Sequence, residues 1–280
     1  MDGYSNPRAL VDANWLADHL DDTGVAIAEV DEDTTAYEKG HIPGSGAINW
    51  ETELHDLPRR EFISSARLAE LLGSKGISSD QTLVLYGGNN NWFAAYAYWL
   101  FKLRGVDEVR LLDGGRKKWE LDSRPMTQEE PSRSPQAFQI GLEQPRLRVL
   151  RDEVLEVARS RRSSLVDVRA PEEFRGELLA PPHLPQEQAQ VPGHIPGAAN
   201  IPWAKAANDD GTFKSATELR ELYASQGITP DRSVIAYCRI GERSSHSWFV
   251  LRELLGFSNV KNYDGSWTEY GSLVGAPVEL

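Results

Sequence analysis

The 280-residue chain has a single cysteine, only two methionines and no apolar stretch long enough to cross a bilayer. One thiol excludes an intrachain disulfide and any cysteine-based zinc site. It fits a reducing cytoplasm, the compartment we expect. The most apolar run, WFAAYAYWLF at 92–101, falls short of the roughly 20 residues a spanning helix needs. The opening MDGYSNPRAL has neither a basic nor an apolar leader region, so no secretory signal is expected. Excess positive charge is missing too: 30 Lys and Arg face 42 Asp and Glu, a net −12. That argues against nucleic acid and against a membrane surface as partners. An anionic substrate would have to be drawn in by a local arrangement, against the field of the whole molecule.

What is present is a repeat. YEKGHIPGSGAINW (37–50) returns as VPGHIPGAANIPW (191–203), with His41 and His194 153 positions apart. The stretch from Tyr86 to Asp113 matches that from Tyr237 to Asp264 without a gap, at an offset of 151. VAIAEVDED (25–33) parallels SSLVDVRAP (163–171), and the second half carries an insertion, GELLAPPHLPQEQAQ (176–190). Two copies at so long a period indicate a duplicated domain rather than a solenoid. Short apolar runs alternate with helical patterns in each copy, which predicts α/β domains with small, mainly parallel sheets flanked by helices. The expected boundaries are a first domain at 1–122, a linker rich in Pro, Ser, Gln and Glu at 123–147, and a second domain at 148–280. In the repeated His-Ile-Pro-Gly, Pro and Gly make a tight turn. Its imidazole is expected to bond nearby backbone rather than to act as a base, because the copy without a nucleophile keeps it.

The lone cysteine sits in YCRIGERSSHSW (237–248). SVIAY reads as a central strand and SSHSWFVLRELLG as a helix, with Ser244 or Ser245 as N-cap and Gly256 as the stop. The six residues Cys238 to Arg243 bridge them. Ligands of parallel sheets bind outside the carboxyl ends of the strands. A tight loop there can turn its N–H groups inward as an anion nest, and the helix start adds partial positive charge. Gly241 permits the backbone angle that such a loop requires. A thiolate at the base of this nest is stabilised by Arg239 and Arg243; a unit charge about 4 Å away is worth roughly 4 kcal/mol at an effective dielectric near 20. Arg243, at the helix start, is the expected main contact for a substrate anion, with Arg239 beside it. The loop residues Ile240, Gly241, Glu242 and Ser244 are expected to support the charged sulfur. The first copy has Gly87 where Cys238 stands and Asn91 opposite Glu242, so no chemistry is expected there. A cysteine phosphatase would carry its arginine six positions after the nucleophile; here that position is Ser244. A non-catalytic anion receptor is the other alternative, and turnover of sulfur donors separates it from an enzyme.

Strand, cysteine, six-residue loop and helix in a duplicated α/β chain resemble the tandem-domain rhodanese family. The resemblance covers nearly the whole chain, including LDGGRKKW (112–119) and NYDGSWTEY (262–270). CRIGERSS is similar to loops of bacterial thiosulfate sulfurtransferases of the actinobacterial sort. The resemblance implies a catalytic second domain in which Cys238 becomes a persulfide, no metal and no organic cofactor. Its partners would be a small-molecule sulfur donor and a thiophilic acceptor such as cyanide. Animal thiosulfate enzymes read Cys-Arg-Lys-Gly-Val-Thr, so Ile240 replaces a lysine and Arg243 a threonine. Mercaptopyruvate enzymes have Gly-Ser after the cysteine, which Arg239 contradicts; mercaptopyruvate stays the alternative donor. Arg169 matches an arginine that the family carries after the first strand of the active domain. Glu173 and Arg175 follow without an assigned role. Trp203, Trp248 and Trp267 are candidates for an apolar wall, or ordinary core residues.

Overall fold

A computed structural model describes residues 3–180 and 188–280; seven residues of the 176–190 insertion lie outside that range. The chain divides into two compact units. The first holds residues 8–145 and 207–213, and the second holds 3–7, 146–206 and 214–280.

In the first unit the strands are β1 (Leu10–Val11), β2 (Val25–Glu29), β3 (Ser45–Ala47), β4 (His55–Asp56), β5 (Glu61–Phe62), β6 (Thr82–Tyr86) and β7 (Val109–Leu112). Its helices are α1 (Ala13–Asp18), α2 (Ala36–Lys39), α3 (Trp50–Glu53), α4 (Ser65–Ser74), α5 (Trp92–Arg104) and α6 (Gly115–Leu121). The main sheet is parallel, in the order β1-β7-β6-β2-β3, and β4 and β5 form a small antiparallel pair. In the second unit the strands are β8 (Ser164–Asp167), β9 (Ala199–Asn200), β10 (Val234–Tyr237) and β11 (Val260–Tyr263). Its helices are α7 (Arg151–Ser160), α8 (Pro171–Phe174), α9 (Ala216–Ala224), α10 (Glu242–Phe249) and α11 (Ser266–Tyr270). This sheet is parallel in the order β11-β10-β8-β9.

The central strands β6 and β10 are continuous apolar runs because helices cover both of their faces. Helix α5 is buried from Trp92 through Phe101, so it shows no amphipathic stripe. Local signals set the ends of elements: Ser215 and Glu218 form a reciprocal capping box that starts α9, and Gly105, at φ 93°, stops α5. The two cores use matching positions. Ile27, Ile42, Val84, Tyr86 and Trp119 pack in the first, and Leu165, Ile195, Ile235, Tyr237 and Tyr270 in the second.

Each His-Ile-Pro-Gly turn is tied to its sheet by the tyrosine that ends the central strand. Tyr86 Oη accepts from Ile42 N at 3.1 Å, and Tyr237 Oη accepts from Ile195 N at 3.1 Å. The histidines face backbone, as expected. His41 Nδ1 lies 3.0 Å from the Tyr37 carbonyl, and His194 Nδ1 lies 2.8 Å from the Phe174 carbonyl. Each turn is also strapped by a later strand-like segment. His41 exchanges backbone bonds with Thr127 (2.8 and 2.9 Å), and His194 with Glu279 (2.8 and 3.0 Å). The Pro- and Ser-rich stretch after residue 122 is therefore ordered along the first unit, where Gln136 N also bonds Gly73 O and Gln144 N bonds Leu103 O. In the second unit residues 3–7 pack on the end of the helix that follows α10: Ser5 N and Asn6 N donate to the carbonyls of Leu254 and Glu253.

Candidate active site

The central strand β10 ends at Tyr237, opposite Asp167 of β8, and the next residue is Cys238. The turn that follows is shorter than the sequence suggests. Gly241 takes φ 105° and caps α10, which starts at Glu242. Arg243 therefore lies in the first turn of the helix rather than in a loop, and Ser244 and Ser245 are inside it rather than capping it. Their hydroxyls instead turn back to the Gly241 carbonyl, at 3.1 and 2.8 Å. A side-chain cap became unnecessary once a left-handed glycine made the entry.

Cys238 is fully buried. Gly241 N donates to its Sγ at 3.1 Å, and Ser244 Oγ stands 3.6 Å from it. Of the loop residues expected to support the sulfur, Gly241 aims a donor at it and Ser244 Oγ stands beside it; Ile240 is half-buried and Glu242 opens α10. The start of α11 fixes the backbone on the other side. Cys238 N donates to Ser266 Oγ at 3.0 Å, Trp267 N donates to the Cys238 carbonyl at 3.1 Å, and Thr268 N donates to the Arg239 carbonyl at 3.0 Å. A β-strand, a turn and the N-terminal ends of two helices thus converge on one cysteine, α10 at its sulfur and α11 at its backbone.

Arg243 is paired within the protein. Its fork closes on Glu173 of α8, with Nη1 to Oε2 at 2.7 Å and Nη2 to Oε1 at 2.9 Å, both side chains buried. Burial acts to raise the Glu173 carboxyl, but the Arg243 bonds and charge outweigh it and hold Glu173 below the usual carboxylate range. Burial likewise works against the Arg243 charge and is more than offset by Glu173. The Arg243 fork is thus engaged within the protein by Glu173, a residue the sequence left without a role. Arg169 is engaged in the same way: its Nη2 bonds Asp167 Oδ2 at 2.6 Å and the Gly193 carbonyl at 2.7 Å, and its guanidinium lies 4.8 Å over the Trp267 ring. Arg239, beside the cysteine, is also buried; desolvation first and the Arg243 charge second push its guanidinium below its ordinary value.

The tryptophans divide. Trp267 and Trp248 are core residues with their indole N–H groups on the carbonyls of Val191 and Val260, both at 3.1 Å. Trp203 is half-buried and sits edge-on to His246, with ring centroids 5.2 Å apart. Sequence reasoning passed over Asn262 of β11, which bonds Gly241, Ser244 and Ser245, and over Ser266. The signal was available: the offset of 151 sets Asn262 against Leu111 and Ser244 against Phe93, apolar-to-polar changes in a buried core. Among the described residues, no group of three or more His, Cys, Asp or Glu is placed to hold a metal ion.

The family model for the rhodanese-like domain matches residues 12–122 and again residues 150–273. The chain belongs to the rhodanese-like family. A protein of Saccharopolyspora erythraea named "Putative thiosulfate sulfurtransferase" is 59% identical over 275 residues, covering 98% of this chain and 97% of that protein. "Sulfur carrier protein TtuD" of Thermus thermophilus is 53% identical over 279 residues, covering 99% and 98%. Among solved structures, YnjE superposes with a TM-score of 0.84 at 27% identity, over 98% of this chain and 69% of that one. A structure of EanB bearing a cysteine persulfide, with ergothioneine, superposes with a TM-score of 0.85 at 25% identity, over 100% and 72%. The two rhodanese-like units of this chain differ in one decisive respect: only the second has a cysteine at the end of its central strand. Among the described residues no helix is long and apolar enough to cross a membrane.

Proposed function

We propose that this chain transfers the sulfane sulfur of thiosulfate to a thiophilic acceptor through a persulfide on Cys238. The observation that carries the reading is the Gly241 N–H aimed at Cys238 Sγ at 3.1 Å, at the N-terminal end of α10. The relatives named for thiosulfate support the donor. The Cys238 thiolate attacks the outer sulfur of thiosulfate, the sulfur–sulfur bond breaks, and sulfite departs with the bonding pair. The terminal sulfur of the resulting persulfide is held by inward N–H groups and by the positive end of α10. Cyanide then takes that sulfur as thiocyanate and returns the thiolate. This is covalent catalysis in two half-reactions.

Arg243 serves this scheme as a paired, fixed charge behind the sulfur. The contact for the anionic end of the donor falls to Arg239, which is next to Cys238 in the chain and interacts electrostatically with it. The backbone of Arg239 is already fixed through its carbonyl by Thr268. The test is direct. Protein incubated with thiosulfate should gain the mass of one sulfur atom, and cyanide should remove it. Cys238→Ser should lose both the adduct and turnover while keeping the wild-type circular dichroism. A folded serine variant that still turns over thiosulfate would end the reading.

A further inference from the structure

The second unit contains a buried polar cluster that its sister copy lacks. Asn262 is fully buried on β11. Its Nδ2 donates to the Gly241 carbonyl at 3.0 Å and to Ser245 Oγ at 2.8 Å, and its Oδ1 accepts from Ser244 Oγ at 2.6 Å. The Gly241 carbonyl also accepts from Ser245 Oγ, and Ser244 Oγ lies 3.1 Å from it. A carbonyl can only accept, so the amide nitrogen must face it and the amide oxygen must face Ser244. The matching residues of the first unit are Leu111, Phe93 and Ala94, all buried. That unit makes the matching strand and helix with no polar group at these places, and its turn is held by the Asn91 carboxamide instead. Burying a carboxamide and two hydroxyls is costly unless all are satisfied, and apolar residues of similar shape do as well or better for stability. The fold does not need the cluster; the copy that has it is the copy with the cysteine.

We propose that Asn262 is a positioning residue for the sulfur chemistry, holding the Cys238 turn in the conformation that aims Gly241 N–H at the sulfur and keeps Ser244 Oγ beside it. Gly241 is at φ 105°, and its peptide on the helix side is fixed by donors that Asn262 supplies or orients. Ser244 has one hydroxyl proton, and Asn262 Oδ1 at 2.6 Å is its nearest acceptor. That bond sets the rotamer which leaves Ser244 Oγ 3.6 Å from Sγ. Asn262 acts through the turn and makes no claim on the donor. The inference rests on Cys238 being the sulfur carrier.

The experiment measures the half-reaction with thiosulfate by rapid quench and intact mass, as a function of thiosulfate concentration, in wild type, Asn262→Leu and Asn262→Asp. The leucine variant installs the residue of the first copy. The aspartate variant keeps the acceptor for Ser244 but, when ionised, loses the donor to Gly241. Both should load sulfur about tenfold more slowly at saturation, the worth of roughly one good hydrogen bond to the loop. The half-saturating thiosulfate concentration should stay within about twofold, because no donor contact is removed. Wild-type loading rates in both folded variants, or a raised half-saturation with an unchanged maximum, would overturn the positioning role. Should the leucine variant not fold, the aspartate variant decides by the same readout. If wild type itself takes no sulfur from thiosulfate, the proposed function fails, and the role of Asn262 in catalysis fails with it.

Discussion

The two turns that follow the central strands of the two units differ in what fills them. In the second unit the inward N–H of Gly241 points at Cys238 Sγ. In the first unit the donors are consumed by the unit's own side chains. Gly87 N donates to Asn91 Oδ1 at 2.9 Å, and Gly88 N donates to an Asp31 carboxylate oxygen at 2.5 Å. Asp31 stands at the position of Arg169, counted from the strand residues Glu29 and Asp167 that lie opposite the two tyrosines. The charges are exchanged as well. Glu29 is neutralised by Arg116 of α6 at 2.5 and 2.6 Å, whereas Asp167 is neutralised by Arg169 from its own strand end. The first turn is thus a nest already holding an anion, the carboxylate of Asp31. The missing cysteine is one of several linked differences between the two turns, and installing a thiol alone should not make the first turn a working site.

That comparison is broken most severely by transplanting the nucleophile. A Cβ at Gly87 would stand 2.2 Å from the Val30 carbonyl oxygen, a backbone atom that cannot swing aside. Gly87→Cys in a Cys238→Ser background should take no sulfur from thiosulfate by intact mass. It should also lose about 1–3 kcal/mol or more of stability in urea unfolding, the usual cost of overpacking. A sulfur adduct on that variant would show that the first turn remains a working site.

Next come the arginines. Arg243→Ala and Glu173→Ala each leave a buried charge without its partner, which costs about 3–5 kcal/mol. The double variant should recover part of that loss, and the coupling can be read from a double-mutant cycle of unfolding free energies. Arg239→Ala should raise the KM for thiosulfate about ten- to a hundredfold, the worth of a charge-assisted contact. Should Arg243→Ala remain as stable as wild type and lose only donor affinity, the anion contact belongs to Arg243 after all.

Acid should separate the two units. His246 in the second unit is pushed down to about 3 by burial, so the fold holds it neutral. Its contribution is complete above the ordinary histidine value near 6.5 and is lost as pH falls from there toward about 3. Glu173, held below its ordinary range, acts in the same direction. In the first unit Asp113 is pushed up to about 6, chiefly by burial, and accepts from Phe213 N at 2.9 Å. Its contribution is complete below the ordinary aspartate value and is lost as pH rises through about 6. Glu29 and Asp31, raised by burial despite their partners, side with Asp113. Between about pH 4 and 6 the units therefore shift in opposite directions on these groups. Hydrogen exchange resolved by peptide should show α10 and β10 losing protection before α5 and β6 as pH is lowered from 7 to 4. The reverse order would contradict the assignment.

The parts of this site written in the chemistry of single residues were legible without coordinates. One thiol flanked by cations, at the end of a Val-Ile-Ala-Tyr run and before a helical pattern, can be placed from spacing alone. The His-Ile-Pro-Gly turns were legible because proline and glycine leave the backbone few options. What escaped is what long-range geometry decides. Glu173 reads as one acid among 42, and only the fold brings it onto Arg243. Asn262 reads as a polar residue near a strand end, where surface exposure is the default. Its burial follows from the parallel pairing of β11 with β10 and from the bridge to Arg148 on its other side. The start of α10 was misplaced because serine is the better capping residue on average, while a left-handed glycine three or four positions earlier had already turned the chain.

The smallest expected effect lies in the filled turn itself. Asn89, Asn90 and Asn91 all have left-handed backbone angles, with φ of 45°, 57° and 64°. Asparagine tolerates that region better than most residues, and glycine better still. Asn91 cannot be spared, because its carboxamide holds Gly87 N and the Leu112 carbonyl. Asn90 has no such duty to the turn's donors. Asn90→Ala should therefore cost about 1 kcal/mol through backbone strain, and Asn90→Gly should differ from wild type by no more than about 0.5 kcal/mol. Neither should alter kcat/KM for thiosulfate by more than about twofold, since the turn holds no reacting group. Urea unfolding and steady-state rates on the two variants check both halves. A hundredfold loss of turnover in a fully folded Asn90→Gly protein would mean that the first turn takes part in the reaction, and the contrast between a filled nest and a working one would have to be abandoned.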